Sequence, residues 1–324
     1  MQPSRRDGLR WAARLGGSAL LGLGALSQGG CAAAQTSALH TARPADVPER
    51  VRLTHVPFFP QADTLCGPAA LAMLLGAAGQ PADVASLSPE VYLPQRQGSL
   101  TLEMTGALRR HGLLPYPLAP SLADALRELA AGHAVLLLLN LALPIWPRWH
   151  YAVLTGYDLA TQTAWLHSGE QADVAWNLNT LEFTWARSQH WALVALPAAQ
   201  LPASAQPGPL AQALLSLEQV RGPALALPGW LAMVQRWPAE LLPRLAAGNS
   251  LLSLNRPAEA AQHYQAAAAA HHSAAAWNNL AVALAQLGER EAARAALAQA
   301  QARAEQAEPN WRAAVAATRQ ELGL

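Results

Sequence analysis

The sequence predicts an α+β lobe followed by an all-α region, and three observations carry that expectation. Between residues 51 and 197, apolar runs at helical spacing come first and short aliphatic or alternating runs come second. Beyond residue 209 nearly everything is helical and alanine-rich, with a pattern that recurs after about 33 residues. Residues 198–209, rich in Pro, Ala, Gln and Ser and without periodicity, read as a linker between the two. A chain of 324 residues exceeds the ~150 of a typical domain, and 52% hydrophobic against 13% charged residues can fill more than one core. The formal charge is only +1, and Arg5, Arg6, Arg10 and Arg14 near the start carry much of the basic excess. The remainder is slightly acidic, which excludes a broad electrostatic grip on nucleic acid.

Taken in order, residues 1–34 read as an export signal. Ser4, Arg5 and Arg6 precede an apolar stretch at 15–26 that is too short and glycine-rich to span a bilayer. The arginine pair resembles a twin-arginine signal, and the general secretory route stays open. Cys31 follows Gly29 and Gly30 as in a lipoprotein box, while Ala32, Ala33 and Ala34 offer an ordinary cleavage site. The expected location is the periplasm or cell envelope, either soluble or anchored by a lipid on Cys31. Cys66 is the other cysteine, and an exported chain that keeps one thiol outside any disulfide points to a reactive or partner-forming sulfur. Residues 35–50 read as a short linker.

Within the lobe, residues 66–78, 102–111 and 122–131 have helical spacing, with Ser121 as a cap for the last. The run 134–139 suits a buried strand. Residues 151–157 and 163–166 flank the turn residues Asp158 to Thr161 and predict a hairpin; 174–178 and 191–196 are further strands around a short helix at 181–186. In the helical region Ala260, Tyr264 and Ala267 recur as Ala293, Leu297 and Ala300, and Asn255 recurs as Gly288 at a turn. Trp277 recurs as Trp311. The expected domains are 51–197 and 210–324, the second holding one good repeat, a degenerate one over 241–274, and a closing helix near Trp311. Helices at 210–220 and 230–237 are expected to support the array.

The chemistry-bearing residues lie in the lobe. Cys66 opens an apolar helix, where uncapped N–H groups and the positive dipole end favour the nucleophilic thiolate. Gly67 leaves room for a substrate backbone, and Pro68 costs nothing in a first helical turn. Gln61 can place an amide beside the sulfur, forming an oxyanion hole with the Cys66 N–H. His150 enters a strand, which holds an imidazole rigidly for moving the thiol proton. Trp146 and Trp149, just before it, are candidate cleft walls. His263, His271 and His272 lack the cysteines or carboxylates of a metal site and read as surface positions.

Gln61 and Cys66-Gly67-Pro68-Ala69, with His150-Tyr151-Ala152-Val153 and Gly156-Tyr157-Asp158, resemble the papain-like cysteine peptidases related to the bacteriocin-leader, or double-glycine, processing family. The resemblance covers about residues 51–197. It implies a helical lobe carrying Cys66 as nucleophile against an antiparallel sheet carrying His150 as base and acid, with Gln61 as oxyanion donor. Members orient the histidine with an Asp one strand later. Here Trp165 to Glu170 offers no carboxylate at that place, leaving Ser168, His167 and Asp158 as candidates, although Asp158 falls in the hairpin turn and reads as solvent-facing. The spacing of Trp277, Leu280, Ala281, Leu284, Gly288, Ala293, Leu297 and Ala300 resembles the tetratricopeptide repeat, which implies protein or peptide binding. The whole reads as an exported cysteine peptidase acting through an acyl-enzyme, with no cofactor or metal. Two alternatives stay open: an inactive peptidase-like scaffold of the envelope, and a thiol amidase or acyltransferase on a cell-wall peptide. No phosphate-binding loop of the usual fused export ATPase occurs.

Overall fold

A computed structural model describes residues 33–60 and 65–324. The centre of the lobe is an antiparallel sheet in the order β2 (Leu113–Pro117), β7 (Ala192–Pro197), β3 (Val135–Asn140), β4 (Trp149–Asp158), β5 (Thr163–Ser168), β6 (Gln171–Asn177). β5 runs along one side of the long strand β4. On the other side β3 pairs with its first half and β1 (Arg50–Arg52) with its last residues. From Tyr151 to Asp158 every residue of β4 is buried. Both faces of this strand are therefore covered, which explains runs that are apolar at successive positions instead of alternate ones.

The helices are α1 (Ala34–Thr41), α2 (Cys66–Ala77), α3 (Val84–Val91), α4 (Thr101–Arg110), α5 (Leu122–Ala130) and α6 (Leu178–Ala186). α2 lies on β4; α5 and α6 pack on β3 and its neighbours. The Ser121 side chain caps α5 by accepting from the Asp124 N–H at 3.2 Å. Helix and strand are more interleaved than the sequence pattern suggested. α3 was hidden by Pro89 inside it, although Asp83 caps it through the Ser86 N–H. β2 was hidden by Pro115 and Pro117, which a strand tolerates at a sheet edge, and β2 is the edge.

Both expected linkers need correction. Residues 35–50 include most of α1, and the Glu182 carboxylate of α6 accepts hydrogen bonds from the Gln35 N–H (2.9 Å), the Thr36 N–H (2.7 Å) and the Thr36 hydroxyl (2.5 Å). Residues 198–209 are pinned as well: Glu128 of α5 accepts from the Ala203 and Ser204 N–H groups at 3.1 and 2.8 Å. Glycine- and proline-free periodicity is not needed when a buried carboxylate supplies partners for irregular backbone.

The helical region consists of three hairpins: α7 (Pro207–Arg221) with α8 (Pro223–Arg236), α9 (Leu241–Ser253) with α10 (Pro257–His271), and α11 (Ala274–Gln286) with α12 (Arg290–Gln306), closed by α13 (Arg312–Leu322). The second and third hairpins start 33 residues apart at both helices. Tyr264, Ala260 and Ala267 are buried in one, and Leu297, Ala293 and Ala300 in the other. Asn255 (φ 57°) and Gly288 (φ 81°) both take the left-handed turn that the recurrence required. The helices around 210–220 and 230–237 are themselves a hairpin of the array, and α7 rests on β2 and α4. Among the described residues no helix is long and apolar enough to cross a membrane.

Candidate active site

α2 is apolar all round and buried without interruption from Cys66 to Leu75, so packing alone fixes where its first residue stands. Leu65 provides no side-chain cap. The helix start therefore directs its N–H groups and positive dipole end at the place where the Cys66 thiol sits. Cys66 is 6% exposed and is not in a disulfide.

Helix and strand lengths bring this end of α2 level with His150. Leu74 and Ala77 line the same cleft as Ala134 and Ala195, at the start of β3 and near the end of β7. Eight residues back along the helix, roughly 12 Å, lies Cys66. Val135 pairs with Leu154 and Leu139 with His150, a step of roughly 13 Å along the sheet. Tyr151, which follows His150 in the strand, carries a buried phenol. Burial first, then Cys66 and Glu103, hold that phenol well above its usual range, so it stays a proton donor.

The entry to β4 is rigid. Asn140, 1% exposed, accepts from the N–H groups of Ala142 and Arg148, both at 3.0 Å, closing the loop that leads into the strand. His150 is half-buried, and its Nε2 lies 2.8 Å from the Ser168 hydroxyl at the end of β5. Register explains the choice of Ser168 over its neighbour. Val153 is opposed to His167, so His167 shares the face of Val153, whereas Ser168 shares the face of Ala152 and His150.

The other predicted residues fall elsewhere. His167 is no orienter of His150: it is buried, with Nε2 3.2 Å from the Val56 carbonyl and Nδ1 accepting from the Asp173 N–H at 3.2 Å. Asp158 is excluded by distance, since eight strand residues separate it from His150, roughly 26 Å. It is also buried, not solvent-facing: it accepts from the Thr161 N–H in the hairpin turn and pairs with Arg50 at 3.7 Å. Gly67 does not line a cleft, because a Cβ there would collide with Ser99 and would stand 3.4 Å from Met104 Sδ. Its small size admits the chain's own 99–104 segment. Trp146 and Trp149, in the segment that leads to His150, are 80% and 50% exposed. Gln61 and Cys31 lie outside the described residues. In the helical region His263 and His271 are half-buried instead of on the surface, and burial leads the causes that hold His263 below the usual imidazole range. Asn140, which holds the entry to β4, was missed by the sequence reading, since in a strand pattern it looks like an ordinary structural position.

A buried helix that starts on a cysteine, packed on an antiparallel sheet whose central strand carries a histidine as its second residue, defines the α+β cysteine-peptidase fold. Residues 53–191 match the Peptidase_C39 like family. No curated protein matches the chain. A crystal structure described as a C39-like peptidase from Bacillus anthracis is 20% identical, with a TM-score of 0.39; the match covers 46% of this chain and 98% of that one.

Proposed function

We propose that the lobe is a cysteine peptidase with Cys66 as nucleophile and His150 as base and acid. The contact between His150 Nε2 and the Ser168 hydroxyl at 2.8 Å carries this reading. With the proton on Nε2, donated to the Ser168 oxygen, the lone pair is on Nδ1, the tautomer a base toward a thiol requires. Nδ1 then takes the Cys66 proton, and the thiolate forms a C–S bond to the scissile carbonyl while the carbonyl electron pair moves to oxygen. That oxyanion is met by the Cys66 N–H and, as the family resemblance implies, by the Gln61 amide. Collapse breaks the C–N bond, with the imidazolium proton going to the leaving amine. Water deprotonated by His150 then cleaves the thioester. Ser168 stabilises the imidazolium less than a carboxylate would, so turnover is modest.

Exposed apolar side chains support a peptide ligand: Leu143, Ile145, Trp146 and Trp149 precede His150, and Leu100 and Leu102 follow Ser99. The 33-residue recurrence, with Tyr264 packed over Gly248, supports a tetratricopeptide-like region that binds a protein or peptide partner. Residues 1–34 hold the export signal, which either is cut at the small residues Ala32 to Ala34 or leaves Cys31 as the lipid acceptor of an envelope protein.

The test is the rate of Cys66 alkylation by iodoacetamide at pH 7, compared between the wild type, His150→Ala and Ser168→Ala, alongside mass spectrometry of a peptide-library digest. We expect a fall of about tenfold or more in His150→Ala and a smaller one in Ser168→Ala, with hydrolysis abolished by Cys66→Ala. Equal, slow labelling in all three proteins would replace the enzyme with a scaffold, the reading that the serine in the carboxylate's place favours.

A further inference from the structure

The loop between β3 and β4 is an apolar projection that the hydrolytic steps do not use. Residues 143–149 are all exposed, Leu143 at 61% and the adjacent Ile145 and Trp146 both at 80%. The projection is nonetheless rigid. The Trp146 N–H donates to the Leu143 carbonyl at 3.1 Å and closes a turn with Pro144 and Ile145 at its corners, and Pro147 follows. At the base the Leu141 N–H donates to the Arg148 carbonyl at 2.9 Å, beside the two bonds that Asn140 accepts. Arg187, at the end of α6, donates through Nη1 to the carbonyls of Asn140 and Ala142 at 3.2 and 2.8 Å. The exposed Phe183 stands four residues before Arg187, and therefore on the same face of α6. A turn held in this way has already lost the freedom that an association would otherwise remove.

We propose that the 143–146 turn inserts into the interface of an anionic lipid bilayer, with Arg148 and Arg187 among the headgroup phosphates. The side chains suit that layer: an indole settles at headgroup level, and Leu143 and Ile145 reach the acyl boundary below it. The charge is complementary. Residues 141–157 and 183–197 contain no Asp or Glu, and their fixed charges are those of Arg148 and Arg187. Shape favours a bilayer over a peptide, since two adjacent residues at 80% exposure form a protrusion, whereas a bound peptide is shielded by a concave surface. Trp149, next to His150, stays available to substrate. The route of the chain agrees as well. Glu182 holds Gln35 and Thr36, close behind the segment in which an export signal or lipid anchor is expected, and only five residues of α6, roughly 8 Å, separate Glu182 from Arg187. The inference goes beyond the hydrolytic reading and needs neither the chemistry of Cys66 nor a lipid on Cys31.

The test uses the full chain with Cys31→Ser and Cys66→Ser, so that Ile145→Cys supplies its one thiol, labelled with bimane. The protein is mixed with vesicles of phosphatidylethanolamine and phosphatidylglycerol that contain a brominated lipid. A control carries the label at Val220→Cys, in α7, where the native side chain is 50% exposed. The label at 145 should shift to the blue and be quenched about threefold or more, while the label at 220 should change little, because only an inserted probe meets the bromines. Quenching at 145 should fall severalfold with phosphatidylcholine vesicles, and severalfold again in Trp146→Ser, a substitution at a side chain too exposed to support the fold. Equal, weak quenching at the two positions overturns the proposal. So does quenching at 145 that is as strong on phosphatidylcholine or unchanged in Trp146→Ser. A blue shift at 145 that apolar peptides produce and vesicles do not also overturns it, and assigns the turn to a peptide. Neither native cysteine is present, so these outcomes leave the peptidase reading to the alkylation rates alone.

Discussion

Among the described residues every buried carboxylate and histidine, Glu128, Asp158, His167 and Glu182, belongs to the lobe, while the buried polar side chains of the helical region are Ser250, Ser273, Asn278 and Thr318. The two halves are held by different means. In the lobe one carboxylate grips irregular backbone far away in sequence: Glu182 holds residues 35 and 36, and Glu128 holds residues 203 and 204. The helical region is held chiefly by matched sizes, with alanines at the close approaches and Tyr264 or Leu297 in the gaps, while Glu218 and Glu308 accept hydrogen bonds from neighbouring helices. Lobe elements are thus coupled over long distances, whereas each helical hairpin is coupled mainly to the next.

The sharpest way to break this comparison is Glu182→Ala. It leaves two backbone N–H groups and a hydroxyl without their acceptor, and should cost about 3 kcal/mol in urea unfolding. Hydrogen exchange should rise in α1, some 140 residues from the mutation in sequence, and stay unchanged in α11 and α12. A loss spread evenly over the chain would contradict the division. Gly248→Ala probes the other half. Alanine gains about 1 kcal/mol of helix propensity, but its Cβ would lie 2.6 Å from Tyr264 Cζ and 2.9 Å from Cδ1. Overpacking wins, and a net loss of about 1–2 kcal/mol is expected, with exchange rising only in α9, α10 and their neighbours.

The smallest effect is a pH dependence. Burial alone would raise Glu128, but hydrogen bonds from His133, Ser204 and Ala203 outweigh it and hold the carboxyl below its usual 4.5. A depressed carboxylate contributes stability that is present in full above the unfolded value and is lost as pH falls through the lower, folded one. Stability should therefore decline below about pH 4.5, and Glu128→Gln should flatten part of that decline by about 1 kcal/mol. Urea midpoints from pH 3 to 7 for both proteins check it. An identical decline in the variant would assign the acid sensitivity to other groups.

Much of the lobe was legible because helical spacing and hairpin turns are written over neighbouring residues. So were the cysteine at a helix start and the histidine near a strand start. The missed pieces are those where a local signal misleads: Pro89 inside α3, Pro115 in the edge strand, and the pinned segments at 35–50 and 198–209, which owe their order to distant carboxylates.

By itself the sequence determined the two-part organisation, the 33-residue recurrence with its left-handed turns at Asn255 and Gly288, and the placing of Cys66 and His150 at element starts. Periodicity and turn chemistry are properties of a few consecutive residues. Only the tertiary structure decided that Ser168, and neither His167 nor Asp158, meets His150, and that Gly67 makes room for Ser99 and not for substrate. The physical reason is register: a one-residue slip between strands turns each side chain to the opposite face, and that register is set by pairing between segments that are not neighbours in the chain.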